Sequence, residues 1–141
     1  MLKTINPLLT GDLLAILADM GHGDEIVIAD ANFPAITAAN RLVQMPGIDA
    51  CAVVEAILTL MPLDDFVEYP AGVMNAPGKR PSIYAEFETL IERAENRRIE
   101  LDFIDRFAFY DRSKATFAVV STGERRLYGN IILKKGVVRP A

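Results

Sequence analysis

The only histidine of the chain, His22, stands between two glycines in the stretch GHGD. Because the flanking glycines carry no side chain, a small molecule has an open approach to the imidazole. An imidazole with an ordinary pKa of ~6.5 can give or take a proton at cellular pH, which suits general acid–base chemistry. The alternative is a surface or capping histidine that closes the helix predicted before it.

Asp30 directly follows the short apolar run EIVIA, which predicts a strand buried on both faces. Carboxylates at the carboxyl ends of strands often hold ligands in α/β folds, although Asp30 could equally cap the turn before NFP. The eight-residue separation between His22 and Asp30 spans up to about 25 Å when extended, at ~3.3 Å per residue. We therefore expect the two side chains to meet only if the chain folds back or a second subunit supplies one of them.

Two later stretches, DRFAFYDR and LYGN, contain further polar candidates. Arg106 stands beside three aromatic residues, and the pattern alone favours a surface Asp/Arg pair next to core aromatics. The ring of Tyr128 can lie against the apolar face of a sugar, and Asn130 can both donate and accept hydrogen bonds to neighbouring hydroxyls. The alternative for LYGN is an ordinary glycine turn into the last strand.

Composition excludes several classes of function. The 141 residues predict one domain over 1–141, and 15 basic against 19 acidic residues give a net charge of −4, which argues against a nucleic-acid partner. No apolar run approaches the ~20 residues of a membrane span, so no membrane partner is expected. The first ten residues are interrupted too early for a secretory signal, which predicts a cytoplasmic protein. The hydrophobic fraction of 51% predicts apolar surface buried between subunits.

The single cysteine, Cys51, excludes an internal disulfide, and one His with one Cys cannot build a His/Cys zinc cluster. We therefore expect no metal bound by a His/Cys cluster, and an ion site built from carboxylates alone is the one alternative left open. Helical spacing places Cys51 among apolar residues, which predicts a buried, inert thiol rather than a nucleophile.

Helices and strands alternate along the chain. Helical patterns occupy GDLLAILADMGHG, GIDACAVVEAILTLMP and PSIYAEFETLIERAENRR, and RFAFYDRSKA predicts a shorter helix. Strand patterns occupy EIVIAD, FVEYPAGVMN, IELDFID, TFAVVSTG and NIILKKGVV, with Pro70 indicating an edge or a bulge. This alternation predicts an α/β domain with a mostly parallel sheet.

Three segments, MGHGDEIVIADANFPA, IDRFAFYDRSKATFAVVSTGE and LYGNIILKKGV, resemble the RbsD/FucU family of sugar mutarotases. The three segments occur in the same order as in that family, and the similarity runs nearly from one end of the chain to the other. The resemblance implies a single three-layer α/β/α domain with a mixed sheet and no cofactor. It also implies a ring-shaped homo-oligomer, a decamer, whose sites are completed across subunit contacts.

The same resemblance assigns His22 as the catalytic acid/base. It assigns four side chains and one stretch of backbone to the sugar site: Asp30, Arg106, Tyr128, Asn130 and the main chain of Gly129. RFAFY and PSIYAEFETLIERA resemble the fucose branch, which implies L-fucose as the substrate with D-ribose as a side reaction. The alternative is a monosaccharide-binding or sugar-transport accessory protein that performs no chemistry.

Overall fold

Six strands form one mixed sheet in the computed structural model, which describes all 141 residues. The strands are β1 (Glu25–Ala29), β2 (Leu42–Met45), β3 (Ala71–Met74), β4 (Asp102–Ile104), β5 (Ala118–Thr122) and β6 (Ile131–Lys134). Their order across the sheet is β2-β5-β1-β6-β3-β4. Only β6 runs antiparallel to its neighbours, β1 and β3. The prediction of a mostly parallel, mixed sheet is confirmed.

Helices cover both faces of this sheet. They are α1 (Gly11–Asp19), α2 (Ala35–Ala38), α3 (Ala50–Leu58), α4 (Ser82–Glu95) and α5 (Arg106–Lys114). Helices α1, α3 and α4 pack on one face around a cluster of 28 buried residues, and α2 and α5 pack on the other around 9. The predicted three-layer α/β/α architecture is confirmed. None of the five helices combines the length and the apolar character needed to cross a bilayer.

Strand β1 lies at the centre and is covered on both faces, as its apolar run predicts. Ile26 and Ile28 point into the larger cluster, and Val27 and Ala29 point into the smaller one, because side chains alternate along a strand. The candidate residues His22 and Asp30 therefore flank a buried central strand of the sheet.

The prediction that Pro70 marks an edge strand or a bulge is wrong. Strand β3 lies between β6 and β4, and it begins at Ala71, one residue after the proline. Pro70 therefore removes no donor from the ladder, and its carbonyl accepts the Lys134 amide at 2.8 Å. The sequence patterns also missed β2 and α2, each of which has only four residues.

Cys51 lies on α3 and is half-buried rather than fully buried. Burial, followed by the nearby charge of Glu86, raises its pKa to about 11. The side chain therefore stays a neutral thiol near neutral pH, which agrees with the predicted inert role.

Candidate active site

His22 lies in a tight turn between α1 and β1. The amide of Asp24 donates to the carbonyl of Gly21 at 3.1 Å, and the amide of Gly21 donates to the Asp24 carboxylate at 2.7 Å. Gly23 has a φ of +86°, a conformation that side-chain-bearing residues rarely adopt. The second glycine of GHGD is thus required by the backbone, and the turn holds His22 on the surface.

The His22 ring has a buried carboxylate as its partner. Its Nε2 lies 3.0 Å from Oδ1 of Asp64, and the two side chains are 44% and 4% exposed. The ring of Phe66 packs against the imidazole with centroids 5.2 Å apart. His22 therefore makes more side-chain contacts than its neighbouring glycines suggest.

The carboxylate of Asp64 determines which imidazole nitrogen is free. Burial opposes its ionisation, but hydrogen bonds from the Phe66 amide and from His22 outweigh that effect and lower the pKa of Asp64. An ionised carboxylate only accepts hydrogen bonds, so Nε2 of His22 donates to it. In the neutral ring Nδ1 then keeps its lone pair, and this nitrogen is the one that can exchange a proton with a ligand.

At the opposite end of β1, Asp30 and Asn130 form a buried pair. The antiparallel register that joins Ile28 to Ile131 brings the residues that follow β1 beside those that precede β6. The Asp30 amide donates to Oδ1 of Asn130 at 2.6 Å, and Nδ2 of Asn130 donates to Oδ2 of Asp30 at 3.0 Å. The two residues are only 5% and 2% exposed, so this double hydrogen bond holds both side chains in one orientation.

Burial raises the pKa of Asp30. Hydrogen bonds from the Asn32 amide, the Asn130 side chain and the amides of Phe33 and Gly129 favour the charged form, but burial outweighs them. The pKa of this carboxyl is thereby moved towards neutrality, as in groups that exchange protons with ligands.

Tyr128 and Gly129 enter the site through an unusual backbone. Tyr128 has a φ of +61°, which is uncommon for a residue with a side chain and often marks functional sites. A Cβ on Gly129 would lie 2.7 Å from Cγ of Glu124, so only glycine fits there. The Glu124 carboxylate in turn accepts the amide and Nε of Arg126. A buried acid therefore anchors the loop that presents the Tyr128 ring.

Arg106 begins α5 and reaches the same region. Its guanidinium lies 5.5 Å and 5.7 Å from the ring centres of Phe107 and Tyr110, and it takes part in none of the ion pairs of the chain. The Asp/Arg surface pair that the sequence pattern favours is therefore absent, which leaves the donors of Arg106 free for a ligand.

These residues enclose a cavity of about 180 Å³. Its walls are formed by Asp30, Asn32, Phe33, Met74, Arg106, Tyr110, Leu127, Tyr128 and Asn130. This lining combines polar groups with aromatic and aliphatic side chains, which is the combination that binds the hydroxyls and the apolar surface of a monosaccharide. Nowhere in the chain do three or more His, Cys, Asp or Glu side chains gather in a group that could hold a metal ion.

The structure brings together four of the five predicted side chains and Gly129, but it does not bring His22 to them. His22 precedes β1 and Asp30 follows it, so the five residues of the strand, at ~3.3 Å each, separate them by roughly 15 Å or more. The separation of His22 and Asp30 that the sequence predicted is thus present, and the chain does not fold back to bring the two side chains together.

Sequence reasoning missed Asp64 and Glu124. Both are buried carboxylates. Asp64 meets His22 across 42 residues through tertiary packing, whereas Glu124 pairs with Arg126 only two residues further along the chain. Asp64 stands in the weakly patterned stretch MPLDDFVEYP, where no periodicity distinguishes it from its neighbour Asp65.

Comparisons with known proteins place the chain in one family. The RbsD / FucU transport protein family matches residues 3–138. The L-fucose mutarotase of Actinobacillus pleuropneumoniae serotype 5b is 43% identical over 140 residues, which cover 97% of each chain. The crystal structure of the fucose mutarotase from Streptococcus pneumoniae in complex with L-fucose superposes with a TM-score of 0.93 at 43% identity, covering 98% of this chain and 100% of that one. RbsD of Bacillus subtilis complexed with D-ribose gives 0.77 at 28% identity, covering 99% and 100%.

Proposed function

The chain belongs to the RbsD/FucU family, and we propose that it interconverts the α and β anomers of L-fucose. The observation that carries the proposal is the cavity that joins the buried Asp30–Asn130 pair to an aromatic and aliphatic wall. The chain is more similar to the fucose-bound relative than to the ribose-bound one, and this supports the choice of sugar.

Anomer exchange needs two proton transfers and nothing else. The hydroxyl at C1 loses its proton to a base while the ring oxygen gains one from an acid, and the C1–O bond of the ring breaks. Rotation about C1–C2 of the open aldehyde and reclosure then give the other anomer. One proton-exchanging group on each side of the hemiacetal is sufficient, and such groups typically contribute roughly 10²–10⁴-fold.

In the proposed mechanism, Nδ1 of His22 is one of these groups, held in its proton-accepting form by Asp64. Within the cavity, the side chains able to exchange the second proton are Asp30, Tyr110 and Tyr128, of which Asp30 and Tyr128 belong to the predicted site. Asn130 and Arg106 bind the remaining hydroxyls: the amide donates and accepts, and the guanidinium offers a planar set of donors. The amide of Gly129 adds a main-chain donor beside Asp30.

Because His22 and the cavity lie at opposite ends of β1, we infer that His22 of one chain completes the cavity of a neighbouring chain. Each end carries exposed apolar side chains: Phe66 (66%) beside His22 at one end, and at the other Leu127 (68%) in the cavity lining and Phe107 (69%) beside Arg106. Two different surfaces that pair head to tail generate a closed ring when the rotation closes. This supports the ring-shaped homo-oligomer, a decamer, expected from the family resemblance, and the expected cytoplasmic location remains part of the proposal.

Exchange between the anomers of L-fucose and of D-ribose, measured by NMR saturation transfer with and without the protein, tests the proposal. We expect faster exchange for L-fucose, because its C6 methyl group fits the wall formed by Phe33, Met74 and Leu127. A preference for ribose would overturn the choice of sugar. Tight sugar binding with no acceleration would instead favour the non-catalytic sugar-binding or transport-accessory alternative.

A further inference from the structure

Lys135 joins the elements that hold His22. Just beyond β6, its backbone forms an isolated antiparallel bridge with Leu63, next to Asp64. On the other side, its carbonyl accepts the Gly23 amide at 2.9 Å and its amide donates to the Asp24 carbonyl at 2.8 Å. The turn that carries His22 is therefore hydrogen-bonded to Lys135 itself, and the segment that carries Asp64 is hydrogen-bonded to the residues on either side of it, Lys134 and Gly136.

The spacing across this junction is tight. The Asp64 amide donates to the Lys134 carbonyl at 3.0 Å, and the Gly136 amide donates to the Pro62 carbonyl at 2.8 Å. A Cβ on Gly136 would lie 2.5 Å from the Leu63 carbonyl oxygen, so a larger residue would push the Asp64 segment away. The His22–Asp64 separation thus depends on this short continuation of β6.

The Lys135 side chain acts on the remaining end of the turn. Its ammonium, Nζ, donates to the carbonyl of Leu17 at 2.7 Å and to that of Met20, at the end of α1. Helix α1 has no basic residue of its own in its last turn, so Lys135 supplies the positive charge that its carbonyl end favours. Met20 is followed directly by the turn Gly21–Asp24, and so the ammonium holds the point from which His22 departs.

We propose that the ammonium of Lys135 is a positioning group that keeps the imidazole of His22 at the distance and orientation that proton transfer requires. The proposal rests on the proposed function, because it assumes that His22 reacts with the sugar. It assigns Lys135 no contact with substrate: the residue acts through the end of α1 and the turn. Displacement of a reacting group by about 1 Å can cost roughly 100-fold in rate, so loss of this anchor should appear in kcat.

The test compares Lys135→Met, which keeps the aliphatic stem without the charge, with Lys135→Arg, which keeps the charge and the donors. We expect Lys135→Met to lower kcat for anomer exchange roughly 10- to 100-fold with KM unchanged, and Lys135→Arg to recover most of it. Lys114→Met is the matched control, because Lys114 is an exposed cation in the last turn of α5, away from the His22 turn. Equal losses in Lys135→Met and Lys114→Met would overturn the proposal.

A second readout does not depend on turnover. His22 is the only histidine, so selectively labelled protein gives one set of ring-nitrogen signals, which report the tautomer directly. We expect a proton on Nε2 in the parent and a mixture of tautomers in Lys135→Met. Unchanged signals and unchanged kcat would refute the positioning role. If Lys135→Met does not fold, comparison of Lys135→Arg with the neutral donor Lys135→Gln decides in the same way. If the parent exchanges no sugar anomers, the proposed function fails, while the ring signals still decide whether Lys135 positions His22.

Discussion

Two inactive variants should rescue each other if the site is shared between chains. His22→Gln leaves the cavity intact but removes the proton-exchanging ring, whereas Asp30→Asn leaves His22 intact but places an amide NH₂ against Nδ2 of Asn130. Each variant alone should lose roughly 10²–10⁴-fold in exchange rate. In a mixed ring, however, some sites combine an intact His22 from one chain with an intact cavity from the next.

The size of the rescue follows from counting sites. With equal amounts and random assembly, half of the sites receive an intact His22 and half of those have an intact cavity, so about one quarter should be complete in a head-to-tail ring. We therefore expect co-expressed or co-refolded mixtures to recover about a quarter of the parental exchange rate for L-fucose, measured by NMR saturation transfer. A site within a single chain gives no rescue at any mixing ratio.

A mixture of Asp30→Asn with Tyr128→Ala is the matched control. Both changes fall in the same cavity of one chain, so no arrangement of subunits produces a complete site. The reasoning is refuted if the His22→Gln and Asp30→Asn mixture is only as active as the average of its separate components while light scattering shows that mixed oligomers have formed. A stable monomer of 15.5 kDa at micromolar concentration would refute the assembly itself.

Three further outcomes follow from the site. Asp64→Asn should be less stable than the parent at pH 7, because the lowered pKa of Asp64 means that its carboxylate stabilises the fold above the unfolded value of ~3.9. The difference in free energy of unfolding between the two proteins should shrink as the pH falls through the lowered pKa of Asp64 in the folded state. Urea unfolding between pH 7 and pH 3 measures it, and a difference that stays constant over this range would contradict the reasoning. Arg106→Lys should weaken L-fucose turnover by about 1.5–3 kcal/mol, or roughly 10- to 150-fold, with little change in Tm; equal losses for L-fucose and fold stability would exclude a ligand-binding role. EDTA should leave the exchange rate unchanged, since the two proton transfers require only acid and base groups, and activity restored by an added divalent ion would contradict this.

The parts of the fold that could be predicted are those with a strong local pattern. The apolar spacing of α1, α3 and α4 and the continuous apolar run of β1 each reflect burial that acts on nearby residues. Four-residue elements such as β2 and α2 are too short to show a period. The prediction of an edge strand or a bulge at Pro70 was wrong because proline disturbs a strand only where its missing N–H belongs to the hydrogen-bonded ladder. The ladder of β3 begins one residue later, at Ala71.

The site residues, too, could be predicted only where a local pattern or the family resemblance marks them. Asp30 could be found because it follows a recognisable strand. Arg106, Tyr128 and Asn130 were candidates by their side-chain chemistry, and only the family resemblance favoured a sugar site over a surface pair and an ordinary turn. Asp64 could not be found, because its pairing with His22 spans 42 residues and depends on how the loop before β3 packs against the end of β6. The separation of His22 from the cavity followed from the length of β1 alone, which is a local property.

The most direct test of the central claim is the rate of α-to-β exchange of L-fucose in the parent protein and in His22→Gln, measured by NMR saturation transfer at matched protein concentration. The account predicts a clear acceleration by the parent and a loss of roughly 10²–10⁴-fold in the variant, with unchanged thermal unfolding and oligomer size. A His22→Gln protein that exchanges the anomers as fast as the parent, or a parent that binds L-fucose without accelerating exchange, would contradict it.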